Sequence, residues 1–211
     1  MDFEKSSLDY TLCLVTDRDL MSTKRLEEAV EEAILGGVTM VQLREKEVSA
    51  EKMYNIAQSI KKITNRYEVP LIINDRVDVA LAVNAAGVHV GQSDIPASAV
   101  RKIISNEMIL GVSATNLEEA EAAQNDGADY LGIGAMFATI TKKDAKLVSI
   151  MELKSIRDAI DIPIIVIGGI DETNVGEFKG TGIDGFAVVS AIIAKPDIRR
   201  AAAELRDAIK L

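Results

Sequence analysis

The sequence predicts an α/β protein that forms one closed barrel of eight parallel strands, a (β/α)8 fold. A short apolar run followed by a helix-like stretch recurs eight times within the 211 residues. The runs that precede Gly111 and Gly168 are continuous in apolar residues, and Val88 and Val90 precede Gly91 on either side of His89; such runs are typical of strands buried on both faces. Reactive polar residues follow seven of the eight runs, at the end of the strand where such barrels place their chemistry.

Eight strands are predicted in chain order. Pro70 immediately precedes the third strand and Pro163 immediately precedes the seventh. Their predicted bounds are Tyr10–Val15, Met40–Leu43, Leu71–Ile73, Val88–Val90, Met108–Val112, Tyr130–Ile133, Ile164–Ile167 and Phe186–Val189.

Each strand leads to a predicted helix, and several helices have recognisable ends. Gly36 and Gly37 close the first helix, Ser49 and Asn116 are candidate N-caps, and Pro96 suits a first turn. The predicted helices cover residues 24–35, 49–66, 77–84, a stretch beginning at 96, 117–125, 150–160, 174–178 and 198–209.

An open, doubly wound sheet is the structural alternative to the barrel. That fold usually carries a glycine-rich turn after its first strand. The first turn here reads Thr16-Asp17-Arg18-Asp19 and contains no glycine, so the barrel is favoured.

Composition limits the classes of function. A formal net charge of −9 argues against a general nucleic-acid-binding protein, which needs a basic face. No apolar stretch has transmembrane length and the first twenty residues lack a signal-peptide profile, so we expect a cytoplasmic protein without a membrane partner. We expect one domain over residues 1–211, with residues 1–7 as a loose extension and Cys13 as a core residue. The sequence leaves open whether the protein forms a homo-oligomer.

Cations follow the second strand. Because residues two apart in an extended segment share a face, Gln42, Arg44 and Lys46 should project together and Glu45 away from them. Two cations and an amide at a barrel mouth suit a phosphate or pyrophosphate. An ordinary solvated run of charges on a loop is the alternative.

Carboxylates follow the third and fourth strands. Asn74 and Asp75 end one of them, and Asp94 follows the other, so the two carboxylates should meet at one rim. Mg²⁺ needs only one or two protein carboxylates when substrate phosphates complete its shell, although Asn and Asp also stabilise turns. We expect His89, the only histidine, to be a buried structural residue rather than a base or a ligand.

Further candidate contacts follow the later strands. Ser113 could bond either a substrate or its own backbone. The loop 134–146 is the longest connection, and its Thr139, Thr141 and Lys142 suit an anion. Gly168-Gly169 and Val189-Ser190 follow the last two strands, whose loops commonly bind phosphate through backbone N–H groups. The sequence therefore predicts two anion sites in one pocket.

Seven segments in order resemble the thiamine-phosphate synthase family over nearly the whole chain. They are Gln42–Lys46, Asn74–Asp78, His89–Asp94, Gly111–Ala114, Thr139–Asp144, Ile167–Ile170 and Val188–Ile192.

The resemblance implies a TIM barrel enzyme that needs Mg²⁺ and takes two small phosphorylated substrates. One is 4-amino-2-methyl-5-hydroxymethylpyrimidine pyrophosphate and the other is 4-methyl-5-(2-phosphoethyl)thiazole. Their condensation gives thiamine phosphate and pyrophosphate.

By matching position, the resemblance also implies a role for individual residues. Asp75 and Asp94 would hold Mg²⁺, Gln42 would contact the pyrimidine, and Ser113 would lie beside the reacting carbon and the leaving group. The residues implied for pyrophosphate are Arg44, Lys46, Asn74 and Lys142. Those implied for the thiazole phosphate are Thr139, Thr141, Gly169, Val189 and Ser190. Arg44, Lys46, Ser113 and Lys142 would form the catalytic set.

The chain departs from the family pattern at three positions. Ala135 and Ala138 stand where relatives usually have proline, which should loosen the loop, and Thr115 stands where histidine is common. The resemblance also allows two other functions: a related thiazole tautomerase, which is expected to rely on histidine, and a non-catalytic barrel that binds thiamine phosphates. The intact set of cations and carboxylates favours the synthase over both.

Overall fold

A computed structural model describes residues 5–139 and 146–209, and it shows a closed barrel. All eight strands are parallel and follow one another around the barrel in chain order, with β1 pairing β8 to close it. The predicted fold class is therefore confirmed. The strands are β1 Leu12–Val15, β2 Met40–Leu43, β3 Leu71–Asn74, β4 Gly87–Val90, β5 Ile109–Ala114, β6 Tyr130–Ile133, β7 Ile164–Ile167 and β8 Gly185–Val188.

Helices surround the barrel, and short 3₁₀ helices span Lys5–Ser7 and Val175–Phe178. The α-helices are α1 Leu26–Leu35, α2 Ala50–Arg66, α3 Val77–Ala82, α4 Ala97–Ile103, α5 Leu117–Asn125, α6 Ile150–Ala159, α7 Ser190–Ile193 and α8 Ile198–Ala208.

Local signals explain several helix starts. The Ser49 hydroxyl accepts a hydrogen bond from the Lys52 N–H at 3.2 Å, and the Asn116 side chain accepts one from the Glu119 N–H at 2.9 Å. Both residues are the N-caps that the sequence predicted. Pro96 is also an N-cap, one residue earlier than expected, because its φ of −52° suits the entry to a helix.

The core has two layers. Between the strands and the helices lies a large aliphatic layer, to which α2 contributes Met53, Ala57 and Ile60 at helical spacing. Each such buried side chain larger than alanine contributes about 1.5–3 kcal/mol. Inside the barrel lies a smaller layer that includes Cys13, which is fully buried as predicted. Alternation along β1 sends Leu12 and Leu14 to the outer layer and Cys13 and Val15 to the inner one.

The structure differs from the predicted elements at three places, and the first two affect the site. β5 runs to Ala114, so Ser113 lies within the strand rather than after it. β8 ends at Val188, and the one-turn helix α7 that follows was not predicted, because one turn is too short to show helical periodicity. Of the expected loose extension, Lys5–Ser7 form a 3₁₀ turn, and the Lys5 ammonium pairs with Asp129 at 2.8 Å.

Within residues 5–139 and 146–209, the helices are all too short or too polar to cross a membrane.

Candidate active site

A cavity of about 630 Å³ opens at the end of the barrel where the strands terminate. It is lined by all eleven of the predicted site residues that the structure describes. These are Gln42, Arg44, Lys46, Asn74, Asp75, Asp94, Ser113, Thr139, Gly169, Val189 and Ser190. The other two, Thr141 and Lys142, lie outside the described residues. One concave site thus brings together residues from seven strand ends.

The residues after β2 alternate as the sequence predicted. Gln42, Arg44 and Lys46 face the cavity, while Glu45 turns away and pairs with Arg18 at 2.9 Å. The Arg44 Nη1 lies 3.3 Å from the Asp17 carboxylate, and each of the two side chains is only 14% exposed. This ion pair fixes the guanidinium at the rim with its other N–H groups available to a ligand.

Backbone geometry also supports Arg44. The Thr16 hydroxyl accepts a hydrogen bond from the Arg44 N–H at 3.0 Å, and the Thr16 side chain is completely buried. The turns after β1 and β2 therefore hold each other in register. Neither Thr16 nor Asp17 was among the predicted site residues, because their partner lies 27 or 28 residues away along the chain.

The two predicted metal ligands lie side by side. The Asp94 carboxyl is within hydrogen-bonding reach of the Asp75 carboxyl. Burial raises the pKa of Asp75 to about 6, the charge of Asp94 adds to the shift, and Arg44 and Asn74 oppose it. Asp75 is exposed as a whole residue, so the shift in its pKa reflects the protein groups packed near its carboxyl and not complete removal from water. The backbone of Asp75 is also in the left-handed region, with φ of 62°, a conformation that is uncommon for residues other than glycine.

Asp75 and Asp94 fit a hard divalent cation, because two adjacent carboxylates repel unless a proton or a cation lies between them. Asp94 is held in place by the Gly91 N–H, which donates to its Oδ2 at 2.7 Å. Across the described part of the chain, no three His, Cys, Asp or Glu side chains are grouped to hold a metal. An ion at this pair would therefore need substrate oxygens or water to complete its shell.

His89 is buried at the floor of the cavity and satisfied on both ring nitrogens. Its Nδ1 lies 2.9 Å from the Tyr130 hydroxyl and its Nε2 lies 2.9 Å from the Ser113 hydroxyl. Burial lowers the pKa of His89 to about 4, so the ring is neutral at physiological pH. The predicted structural histidine therefore also contacts a candidate substrate-binding residue.

The opposite wall is formed by the turns after β6, β7 and β8. Gly168 and Gly169 have φ of 102° and 65°, a region that favours glycine. A Cβ on Gly169 would lie 2.7 Å from the Phe137 Cβ, so any side chain here would displace the neighbouring loop. The loop after β6 is held against this turn by the Phe137 N–H, which donates to the Gly168 carbonyl at 3.0 Å. The absence of side chains allows a ligand to approach the backbone closely.

Sequence reasoning missed some of the cavity lining. Gln92 donates to the Ser113 carbonyl at 2.7 Å, and Glu119 accepts from the Thr115 N–H at 2.7 Å. The spacing Asn116-x-x-Glu119 is that of a capping box, and this signal could have placed Glu119 at the rim. Lys146 also lines the cavity, at the far end of the long loop.

Comparison with known proteins gives one consistent family. The sequence model of thiamine monophosphate synthase matches residues 12–192. The chain is 62% identical over 203 residues to a thiamine-phosphate synthase of Clostridium beijerinckii, covering 96% of this chain and 97% of that one. It is 60% identical over 201 residues to a thiamine-phosphate synthase of Ruminiclostridium cellulolyticum, covering 95% and 96%.

A solved structure agrees with the sequence relatives. Thiamine phosphate pyrophosphorylase from Pyrococcus furiosus superposes with a TM-score of 0.88 at 40% identity, covering 95% of this chain and 96% of that one. The resemblance seen in the seven segments of sequence is thus confirmed over nearly the full length. The chain belongs to the thiamine monophosphate synthase family.

Proposed function

We propose that this protein is a thiamine-phosphate synthase that joins a pyrimidine pyrophosphate to a thiazole phosphate and releases pyrophosphate. The observation that carries the proposal is the division of one cavity into two unlike ends. Arg44, Lys46 and the Asp75–Asp94 pair form one end, and the glycine turn after β7 forms part of the other. Two phosphorylated substrates that react with each other need such an arrangement.

The cationic end suits the pyrophosphate of the pyrimidine substrate. Arg44 can donate two parallel hydrogen bonds to phosphate oxygens, and Lys46 adds a mobile point charge. Asn74 lies beside Asp75 and supplies an amide donor, and Gln42 is buried in the floor, where it can contact the pyrimidine ring. Lys142 belongs to the same proposed set by its position in the sequence.

A magnesium ion is the proposed cofactor. Held by Asp75 and Asp94, it would neutralise part of the charge of the leaving group. The pair of carboxylates is otherwise a disadvantage, because it places negative charge where an anionic substrate must bind.

The opposite end suits the single phosphate of the thiazole substrate. Gly169, Val189 and Ser190 line the cavity there, and Thr139 approaches it from the long loop. Backbone N–H groups at turns and helix starts bind phosphate without requiring a cation. Thr141 is assigned to this group from the sequence alone.

The residues of the cavity support a dissociative reaction. Among the described lining residues, the single histidine is neutral and already bonded on both nitrogens, and no thiol faces the cavity. A pyrimidine whose amino group stabilises a cation at the adjacent CH₂ needs no protein nucleophile, because the thiazole nitrogen attacks that carbon. The protein then contributes by holding the two substrates in line and stabilising the departing pyrophosphate.

The alternatives have weaker support. A thiazole tautomerase would need a base, whereas Thr115 stands where that histidine is expected and its hydroxyl is bonded to Glu119 at 3.0 Å. A non-catalytic binding barrel would have no use for paired carboxylates beside two cations. The expected cytoplasmic location and any homo-oligomer stay predictions.

The test is to incubate the protein with both substrates and Mg²⁺ and to measure thiamine phosphate and pyrophosphate. Equal amounts of the two products are expected, and no product with or without Mg²⁺ would reject the synthase. Asp75→Asn should lower turnover about 100-fold or more. Asp78→Asn is the matched control, because Asp78 is exposed, lies three residues away and pairs with Arg76 outside the cavity.

A further inference from the structure

A chain of polar groups runs from the interior of the barrel to the floor of the cavity. Tyr130 of β6 is completely buried, and its hydroxyl lies 2.9 Å from the Nδ1 of His89. The His89 Nε2 lies 2.9 Å from the Ser113 hydroxyl, which faces the cavity. The side chain of Gln42 lies near the phenol of Tyr130 and partly opposes the rise that burial causes in the pKa of that hydroxyl. Side chains of β4, β5 and β6 thus connect Tyr130, which lies far from the expected substrate position, to Ser113, which we expect to touch the substrate.

Two glycines leave space for the hydrogen-bonded side chains of Tyr130 and His89. A Cβ on Gly111 would overlap both the Tyr130 phenol and the His89 ring. A Cβ on Gly132 would lie 3.0 Å from the His89 Cε1. Each glycine lies inside a strand, where glycine normally weakens the sheet. Its presence is explained by the space that the Tyr130 and His89 rings require. The two rings are held in position by the backbone of β5 and β6.

The hydrogen-bond partners of His89 determine which of its ring nitrogens carries the proton. The phenol is a better donor than acceptor, and an unprotonated imidazole nitrogen is the strongest neutral acceptor within its reach. Tyr130 therefore donates to Nδ1, and the lowering effect of Gln42 on the pKa of the phenol is the effect expected of an amide N–H directed at its oxygen. A neutral ring that accepts at Nδ1 carries its proton on Nε2. That proton is donated to the Ser113 oxygen, which leaves the Ser113 hydrogen free to point into the cavity.

We infer that Tyr130 and His89 are positioning residues, which fix the Ser113 hydroxyl as a hydrogen-bond donor to an anionic oxygen of the substrate. This inference rests on the proposed function, because it assumes that the cavity binds the pyrimidine pyrophosphate. The reverse order would make Ser113 a donor to His89 and leave only its lone pairs for the substrate. Such an oxygen would repel a departing pyrophosphate, whereas the donor stabilises it.

The first test is the protonation state of His89 in the unliganded protein. Because His89 is the only histidine, ¹⁵N-histidine labelling gives one pair of ring-nitrogen signals to assign. At pH 7.5, about one unit above the ordinary histidine pKa, the expected result is a protonated Nε2 and a bare Nδ1. A proton on Nδ1 would overturn the inference. This measurement needs no activity, so it separates a failure of the inference from a failure of the proposed function.

Tyr130→Phe supplies the second test. The variant removes the donor to Nδ1, so the ring should become a mixture of the two neutral forms, with exchange-broadened ¹⁵N signals. Tyr10→Phe is the matched control, since the two tyrosine rings lie 5.5 Å apart in the same inner layer and Tyr10 does not contact His89 through a hydrogen bond. Unchanged ¹⁵N signals in Tyr130→Phe would contradict the proposed direction of the hydrogen bonds from Tyr130 through His89 to Ser113.

A double-mutant cycle tests whether Tyr130 affects kcat through the Ser113 hydroxyl. Tyr130→Phe should lower kcat about 10-fold with little change in KM, as loss of an outer partner of a functional group commonly does. In a Ser113→Ala background the same change should have almost no further effect, because Tyr130 acts through the missing hydroxyl. Equal losses in both backgrounds would show a general structural role and would overturn the inference.

Discussion

Replacing Arg44 by alanine should separate its role in turnover from its role in stability. Its guanidinium pairs with Asp17 at 3.3 Å, and the two side chains are each 14% exposed. Without Arg44 the Asp17 carboxylate keeps the Asp19 N–H at 3.1 Å but loses its cation while withdrawn from water. The variant therefore carries two defects: a missing donor at the cationic end of the cavity and an unpaired carboxylate behind it.

The loss of stability and the loss of turnover differ in magnitude, and only the loss of stability should be restored by a second substitution. Leaving a buried charged group without its partner costs about 1–3 kcal/mol of stability. A second change, Asp17→Asn, removes the unpaired charge and should restore most of that loss. Removing one charged donor to a departing oxyanion costs about 3–4 kcal/mol of activation free energy, which is a 10²- to 10³-fold loss in rate. The second change should not restore turnover.

The assays are urea unfolding and the rate of pyrophosphate release at saturating substrates. Arg18→Ala is the control, because Arg18 makes a second ion pair between the same two turns, with Glu45, but does not line the cavity. It should cost stability without lowering turnover to the same extent. The reasoning would be refuted if Arg44→Ala kept full turnover, or if Asp17→Asn restored turnover together with stability.

Three other predictions concern separate parts of the site. Asp94→Asn should raise the Mg²⁺ concentration needed for half-maximal rate by about 10-fold or more, measured by titrating the metal at fixed substrate; an unchanged requirement would remove Asp94 from the metal site. Gly169→Ala should raise KM for the thiazole phosphate, because its Cβ would lie 2.8 Å from the Ala138 carbonyl; Gly180→Ala, with φ of 74° and nothing within 4 Å, should leave that KM unchanged. Burial lowers the pKa of His89 to about 4, so the unfolded chain takes up a proton near pH 6.5 before the native state does. Between pH 6.5 and 4, the unfolding free energy of the unchanged protein should therefore fall by up to about 3 kcal/mol more than that of His89→Gln. Equal slopes of unfolding free energy against pH in the two proteins would contradict the burial of His89.

The sequence predicted what depends on local pattern. The bounds of β6, β7 and α5 agree with the structure because a turn, a proline or a cap marks each of them nearby. The position of Arg44 at the rim followed from alternation alone. Strand ends meet at one mouth in any parallel barrel, so most of the lining could be placed before any coordinates were known.

The rest depends on contacts between distant segments. Asp17 supports Arg44 across 27 residues, and His89 reaches Ser113 across 24 and Tyr130 across 41. No periodicity encodes such pairs, since they arise only when neighbouring strands align. The raised pKa of Asp75 is likewise a product of its surroundings and not of its own residue type.

The pairing of β1 with β8 has a consequence during synthesis. Leu12 to Leu14 align with Phe186 to Val188, so the edge of the first strand stays without its hydrogen-bond partners until nearly all of the chain has left the ribosome. Until then the nascent sheet has two open edges, which are the features that invite pairing with other chains. The turns after β7 and β8, which we propose to bind the thiazole phosphate, are also among the last to be translated. A shortened product would therefore lack both a sealed sheet and part of the cavity lining.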